Sequence, residues 1–231
     1  MPLTICTMNT SVYQRAALAG ASGLIGHELA ARLATDPACS QLHLVLRRTL
    51  PPLAGHAQVA VHWLGAAGMP ALPPVDAALC ALGTTIRAAG SQAAFRAVDF
   101  DAVPAFARAV RVAGATRFSV VSSLGANPRS RIFYSRVKGE MEEAVGTLGF
   151  TSAVIARPSL LTGERTTQRQ RARLGERVAL AVTGPLGTLI PATWRPIEAA
   201  TVARGMLAAL RQDMPGVRVV ESAELQRLGA W

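Results

Sequence analysis

The 231 residues carry 24 lysines and arginines against 14 aspartates and glutamates, a formal charge of +10, and only three cysteines. Half of the chain is hydrophobic and 16% is charged, enough apolar content for a core that buries roughly 70% of the surface an unfolded chain exposes. That balance excludes a disordered tail, a disulfide-stapled miniprotein and a collagen-like chain.

No stretch approaches 18 consecutive apolar residues, so no transmembrane helix and no membrane partner are expected. The opening MPLTICTMNTSVYQR lacks the basic and continuously apolar regions of a secretory signal. Residues 1–13 are expected to form a flexible N-terminus, with Met8 as an alternative start, and 14–231 a single domain. Cys6, Cys39 and Cys80 are widely spaced and form no C-x-x-C, which reads as reduced thiols in a cytoplasmic protein. His27, His43, His56 and His62 form no H-x-x-x-H or H-E-x-x-H pair, so no metal site is expected.

The charge is almost entirely arginine; lysine occurs once, at Lys138. The densest basic run, Arg165 to Arg177, contains no aromatic side chain to stack on bases, which argues against a nucleic-acid partner. A solvated helix face, a pocket wall for an anionic substrate and a partner site remain open for that run.

Taken in chain order, a short apolar strand at Gln14–Leu18 runs into AGASGLIGHELAARLATD, where Leu24, Ile25, Leu29 and Leu33 fall at helical spacing. Strands follow at Leu42–Leu46, Val59–Trp63 and Val75–Leu82, the last ending in Gly83-Thr84-Thr85. A helix is predicted over Asp99–Val112, with Pro104 tolerable only in its first turn. Then come a strand at Arg117–Val121, a helix over about Phe133–Leu148, a stop at Gly149 and a strand at Ser152–Ala156. Beyond Pro158 a basic helix at about Thr166–Val182, a helix at about Glu198–Gln212, a strand at Val217–Val220 and a last helical turn are predicted. Strands alternating with helices predict an α/β doubly wound parallel sheet of Rossmann type. Residues 157–231 are expected to form its substrate-side lobe, as a lid or pocket wall.

Four signals carry chemistry. Gly20-Ala-Ser-Gly23-Leu-Ile-Gly26 lies at the first strand-to-helix turn, where small residues let backbone N–H groups approach a pyrophosphate. Its spacing is G-x-x-G-x-x-G, and without a following GK[ST] it is no NTPase loop. Arg47 and Arg48 stand 21 and 22 residues beyond Gly26, where an NAD site would carry a carboxylate; two guanidinium groups suit a 2′-phosphate and so NADP(H).

Tyr134-Ser-Arg-Val-Lys138 places a phenol and an ammonium on one helix face, and a nearby ammonium stabilises a phenolate able to exchange a proton with a carbonyl oxygen. The lone lysine would fall four residues after a tyrosine in only about 1% of shuffled chains. Ser122-Ser123 ends a strand eleven residues before Tyr134, and a hydroxyl there, Ser123 ahead of Ser122, can orient a substrate carbonyl.

With GASGLIG, CALGTT (80–85), VVSSLGA (120–126), YSRVKGE (134–140) and ARPSLLTGER (156–165) in this order, the chain resembles a short-chain dehydrogenase/reductase. More narrowly it is similar to the atypical, NAD(P)-binding group that includes the HIV Tat-interacting protein and bacterial relatives. The resemblance implies NADP(H), with NAD(H) second, across the strand ends. Gly20, Ser22, Gly23, Leu24 and Ile25 would face the pyrophosphate, and Arg47 and Arg48 the adenosine end. Leu82, Gly83, Thr84 and Ser122 would line the middle of the cofactor. Tyr134 and Lys138 would hold the nicotinamide ribose, with Pro158, Ser159 and Leu160 flanking the carboxamide. Ser123, Tyr134 and Lys138 would be the catalytic set.

The expected activity is hydride transfer between nicotinamide and a small carbonyl or alcohol. The alternative is a non-catalytic NADP(H)-binding regulator of the same fold. Isomerisation of a nucleotide-linked sugar fits less well, because about 75 residues remain from Arg157 onward and NAD would be expected. A symmetric homodimer is the default assembly.

Overall fold

The structure is a computed structural model in which residues 13–65, 68–162, 191 and 193–230 are described. Cys6, Met8, the Arg165–Arg177 run and the basic helix expected at Thr166–Val182 lie outside the described residues.

Seven strands form one sheet in the order β3-β2-β1-β4-β5-β6-β9, and every neighbouring pair is parallel. They are β1 (Arg15–Ala19), β2 (Gln41–Leu46), β3 (Gln58–Trp63), β4 (Ala77–Cys80), β5 (Arg117–Val121), β6 (Ser152–Arg157) and β9 (Gly216–Glu221). A separate parallel pair joins β7 (Leu161–Thr162) to β8 (Ile197–Glu198). This is the doubly wound Rossmann order with a seventh strand added, and its direction of winding reverses between β1 and β4.

Period-two alternation sends each strand's apolar residues into two cores. Ala16 and Leu18 of β1 face a cluster with Leu29 and Leu33 of α1 (Leu24–Thr35), Val202 and Met206 of α6 (Ala199–Arg211), and Leu225 of α7 (Ser222–Leu228). Ala17 and Ala19 face the opposite cluster, with Val103, Phe106 and Val110 of α4 (Ala102–Val112) and Met141 and Val145 of α5 (Phe133–Gly146). The described part of the C-terminal third therefore completes the main sheet with β9 and covers it with α6. Tyr13, expected in the flexible tail, is fully buried and donates to Asp36 Oδ2 at 2.8 Å. Its ring joins the first core, so Tyr13 belongs to the packed domain and not to a flexible tail.

The region between β4 and α4 departs most from the expected elements. Instead of a single helix from Asp99, two short helices come first, α2 (Ile86–Ala89) and α3 (Gln92–Arg96). Thr85 and Ser91 cap them, their side-chain oxygens accepting the Ala88 and Ala94 N–H groups at 3.1 Å. A π turn over Ala97–Asp101 then joins α3 to α4, with the Ala102 N–H reaching back to the Ala97 carbonyl. Pro104 is the third residue of α4, but the helical backbone runs on from α3 through the π turn, so Pro104 does not stand at the free helix start that the sequence predicted.

Candidate functional site

The carboxyl ends of β1, β4, β5 and β6 converge on one edge of the sheet, at the reversal point where doubly wound folds bind ligands. Gly20 leaves β1 with φ +88°, a left-handed conformation that favours glycine, and an added Cβ would lie 2.4 Å from the Ala81 backbone carbon. The turn can thus press against the exit of β4. Gly26 brings α1 onto the turn, since a Cβ there would stand 2.0 Å from the Gly20 carbonyl oxygen. Between them Ser22 and Gly23 are exposed, and Gly23 is the N-cap of α1. Leu24 and Ile25 open the helix; the Ile25 side chain goes into the core, so only its backbone faces the turn. The first-turn N–H groups of α1 and its dipole give this end a partial positive charge that favours an anion.

Arg47 and Arg48 follow β2 directly, are exposed, and make no ion pair with any described residue. An apolar cavity of about 270 Å³ lies against β2 and β3, lined by Leu44, Leu46, Leu50, Val59, Val61 and Trp63. It includes none of the sequence-predicted site residues, although Leu46 immediately precedes Arg47.

Leu82, Gly83 and Thr84 form the loop leaving β4. Lys138, on the first two turns of α5 and four residues after Tyr134, reaches this loop: a Cβ at Gly83 would lie 3.7 Å from Lys138 Nζ. Lys138 is buried, and its ammonium stands 2.7 Å from Asp99 Oδ1. The second Asp99 oxygen accepts the Thr84 N–H at 2.8 Å. Tyr134 is half-buried with its ring 5.4 Å from that of Phe95, which sits on α3 one turn before Asp99. Cys80 is enclosed beneath the same loop, and burial pushes its thiol up to about 12, so it stays a thiol rather than a nucleophile.

Ser122 and Ser123 follow β5, and both hydroxyls are buried without a hydrogen-bond partner among the described residues. The loop beyond them folds back on α5. Asn127 N–H donates to the Ser135 carbonyl at 3.0 Å, and Gly139 leaves room for the Asn127–Pro128 backbone. The serines and the Tyr134–Lys138 helix are thereby tied to one another. Pro158 is buried and its carbonyl accepts the Leu124 N–H at 2.9 Å. Ser159 donates its hydroxyl to the Arg195 carbonyl and accepts from Ser222 at 3.0 Å, while Leu160 is exposed.

Asp99 is a buried charge of the candidate site that the sequence reading passes over. Its signal was present: Phe95, Asp99, Val103, Phe106 and Val110 lie at spacings of four and three along one buried stripe. A carboxylate on such a stripe requires a cation, and Lys138 supplies it. His43 and His62, unpaired in sequence spacing, also meet in space across β2 and β3, Nδ1 to Nε2 at 3.2 Å. No group of three metal-ligating side chains occurs among the described residues.

No protein-family model matches the chain. It is 36% identical over 182 residues to the mitochondrial protein fmp52 of Emericella nidulans, covering 74% of this chain and 75% of the relative. With the mitochondrial fmp52 of Aspergillus fumigatus it shares 33% identity over 213 residues, 86% of this chain and 89% of the relative. The chain belongs to the Fmp52 family. Among solved structures, MoeE5 in complex with UDP-glucose and NAD superposes with a TM-score of 0.67 at 16% identity, over 93% of this chain and 80% of that one. That likeness is one of fold, and it agrees with the Rossmann-type sheet expected from the sequence.

The expected cytoplasmic location is overturned, because these Fmp52 relatives are named as mitochondrial proteins. The expectation rested on unpaired cysteines. Cys39 and Cys80 are free but buried, so their reduced state reports shielding and does not identify a compartment.

Proposed function

We propose that this Fmp52-family chain is an NADP(H)-dependent oxidoreductase of the short-chain dehydrogenase/reductase type acting on a small carbonyl or alcohol. The narrower likeness to the Tat-interacting-protein group is part of the same proposal. The observation that carries it is the placing of the chain's lone lysine. Lys138 is buried beneath the β4 exit loop and one helical turn from Tyr134, at the same strand ends as the Gly20–Gly26 turn.

The residues present fit a dinucleotide. Ser22 and Gly23 leave the end of α1 open, and the N–H groups of Leu24 and Ile25 can bind a diphosphate, that of Gly23 being given to the Gly20 carbonyl. The exposed guanidinium groups of Arg47 and Arg48 suit a 2′-phosphate. Leu82, Gly83 and Thr84 would line the middle of the molecule, and Pro158 to Leu160 its far end. When bound, the nicotinamide would supply or accept the hydride.

The chain's own part is to orient and to move one proton. Ser123 Oγ, buried and without a partner among the described residues, would hold the substrate oxygen. Tyr134 Oη would give that oxygen its proton in reduction and remove it in oxidation. The Lys138 ammonium would favour the phenolate left behind and donate to the ribose.

The test is NADPH oxidation with a panel of aldehydes and ketones. Tyr134→Phe is expected to lower kcat by about 10²–10⁴-fold while leaving nucleotide affinity nearly unchanged. Full activity in that variant would remove Tyr134 as the proton donor. Tight NADPH binding without turnover on any substrate would favour the regulatory alternative.

A further inference from the structure

Asp99 takes no part in the reaction just described, yet it is the most deeply enclosed charge in the site. Its side chain is 0% exposed and that of its partner Lys138 is 4% exposed. Its two oxygens go to different elements. Oδ1 lies 2.7 Å from Lys138 Nζ on α5, and Oδ2 accepts the Thr84 N–H of the β4 exit loop at 2.8 Å. Gly83 covers the pair, with room for a Cβ only 3.3 Å from Asp99 Oδ1. The carboxylate is presented from the π turn at Ala97–Asp101, a helix irregularity that is frequent at functional sites.

An ammonium has three N–H donors. The ion pair at 2.7 Å fixes where that group stands, although Oδ1 accepts no hydrogen bond from the described residues. A buried ion pair is weak evidence for stability alone, since apolar side chains of similar volume often serve as well. The division of the two oxygens between a cation and a loop N–H points to a more specific role.

We propose that Asp99 is a positioning residue that locks the Lys138 ammonium to the Gly83–Thr84 loop, so that the cation and the loop receive the nicotinamide cofactor as one unit. This rests on the cofactor reading given above. Asparagine cannot substitute, because it has a single acceptor oxygen and must set its NH₂ group against either the ammonium or the Thr84 N–H.

Lys138 being the only lysine, labelling lysine at ¹³Cε and ¹⁵Nζ gives one side-chain signal for the full chain. The labelled wild type and Asp99→Asn are titrated with NADPH and NADH, following nucleotide fluorescence, the Lys138 signal and exchange of the Thr84 amide. In the wild type, the Lys138 shift and the slowing of Thr84 exchange are expected to share one midpoint. Asp99→Asn is expected to displace the Lys138 signal before any nucleotide is added and to weaken nucleotide binding at least tenfold.

An Asp99→Asn chain that melts earlier but binds nucleotide with the wild-type affinity and Lys138 response would overturn the proposal, leaving a structural acid. Should that variant fail to fold, the wild type decides alone: a Lys138 shift at saturation with Thr84 exchange unchanged also overturns it. A wild type that binds neither nucleotide overturns the cofactor reading and this role with it. An unmoved Lys138 signal in the wild type distinguishes that failure from a failure of Asp99 alone.

Discussion

The two ends of the sheet differ in how completely their polar groups are matched. At the amino ends of the strands, charges are matched. Arg15 at the start of β1 donates from its backbone N–H and its guanidinium to Asp76, just before β4. Arg117 at the start of β5 holds Asp213 with two hydrogen bonds of 2.6 and 2.5 Å. Burial alone would raise the Asp76 carboxyl, but these Arg15 bonds hold it below the usual carboxylate range. The Arg117 bonds hold Asp213 down more directly. At the carboxyl ends the hydroxyls of Ser122 and Ser123 are buried without a partner among the described residues, and Arg47 and Arg48 make no ion pair with any of them. Buried hydroxyls without a partner among the described residues are groups that a bound ligand could satisfy.

The carboxyl ends also hold matched charges: Arg157 at the end of β6 pairs with Glu142 and Glu221, and Asp99–Lys138 is the fully enclosed ion pair of the site. Breaking it gives the largest expected effect. Lys138→Met leaves the Asp99 carboxylate buried without its cation, and a loss of about 3–5 kcal/mol in urea unfolding is expected, together with loss of nucleotide binding. A smaller loss follows from Gly26→Ala. The added methyl meets the Gly20 carbonyl oxygen at 2.0 Å, so the variant should lose about 1–3 kcal/mol and bind nucleotide poorly as the turn is pushed from α1.

At the opposite end, Arg117→Met removes a partly exposed ion pair. A cost of about 1 kcal/mol or less is expected, with nucleotide affinity unchanged, and a change in affinity would erase the distinction between the two ends.

The smallest effect is a pH dependence. Burial holds both His43 and His62 below the usual imidazole range, His43 also through its neighbour His62 and Arg15. The unfolded chain therefore binds more protons as pH falls below about 6.5, where an unperturbed imidazole titrates. Their contribution is fully present above that value and is lost as pH falls through the lowered folded-state values. Urea midpoints at pH 7.5 and 5.5 should differ, and His62→Phe should reduce the difference.

Much of this fold can be read from residue order. Arg117–Val121 and Phe133 at the head of α5 fall where alternation and helical spacing place them, because each packs one regular face on a core. The Gly20–Gly26 turn and the Tyr134–Lys138 pair are local motifs and carry their geometry with them. The region between β4 and α4 was not legible in the same way. Helices of four and five residues are too short to show a period, and their Thr85 and Ser91 caps read equally well as loop residues. Asp99 was hidden by that misreading: placed at a helix start, an aspartate looks like a cap, whereas on the stripe between Phe95 and Val103 it demands a partner. The meeting of His43 with His62 depends on strand register, which sequence spacing alone does not show.

The central claim is that the carboxyl ends of the strands receive a nicotinamide dinucleotide. Fluorescence titration of the purified chain with NADPH and, in parallel, NADH tests it most directly. The account predicts tight NADPH binding that weakens tenfold or more, about 1.4 kcal/mol, in the Arg47→Ala/Arg48→Ala double variant while NADH binding is unaffected. Binding of neither nucleotide by the wild-type chain would contradict it.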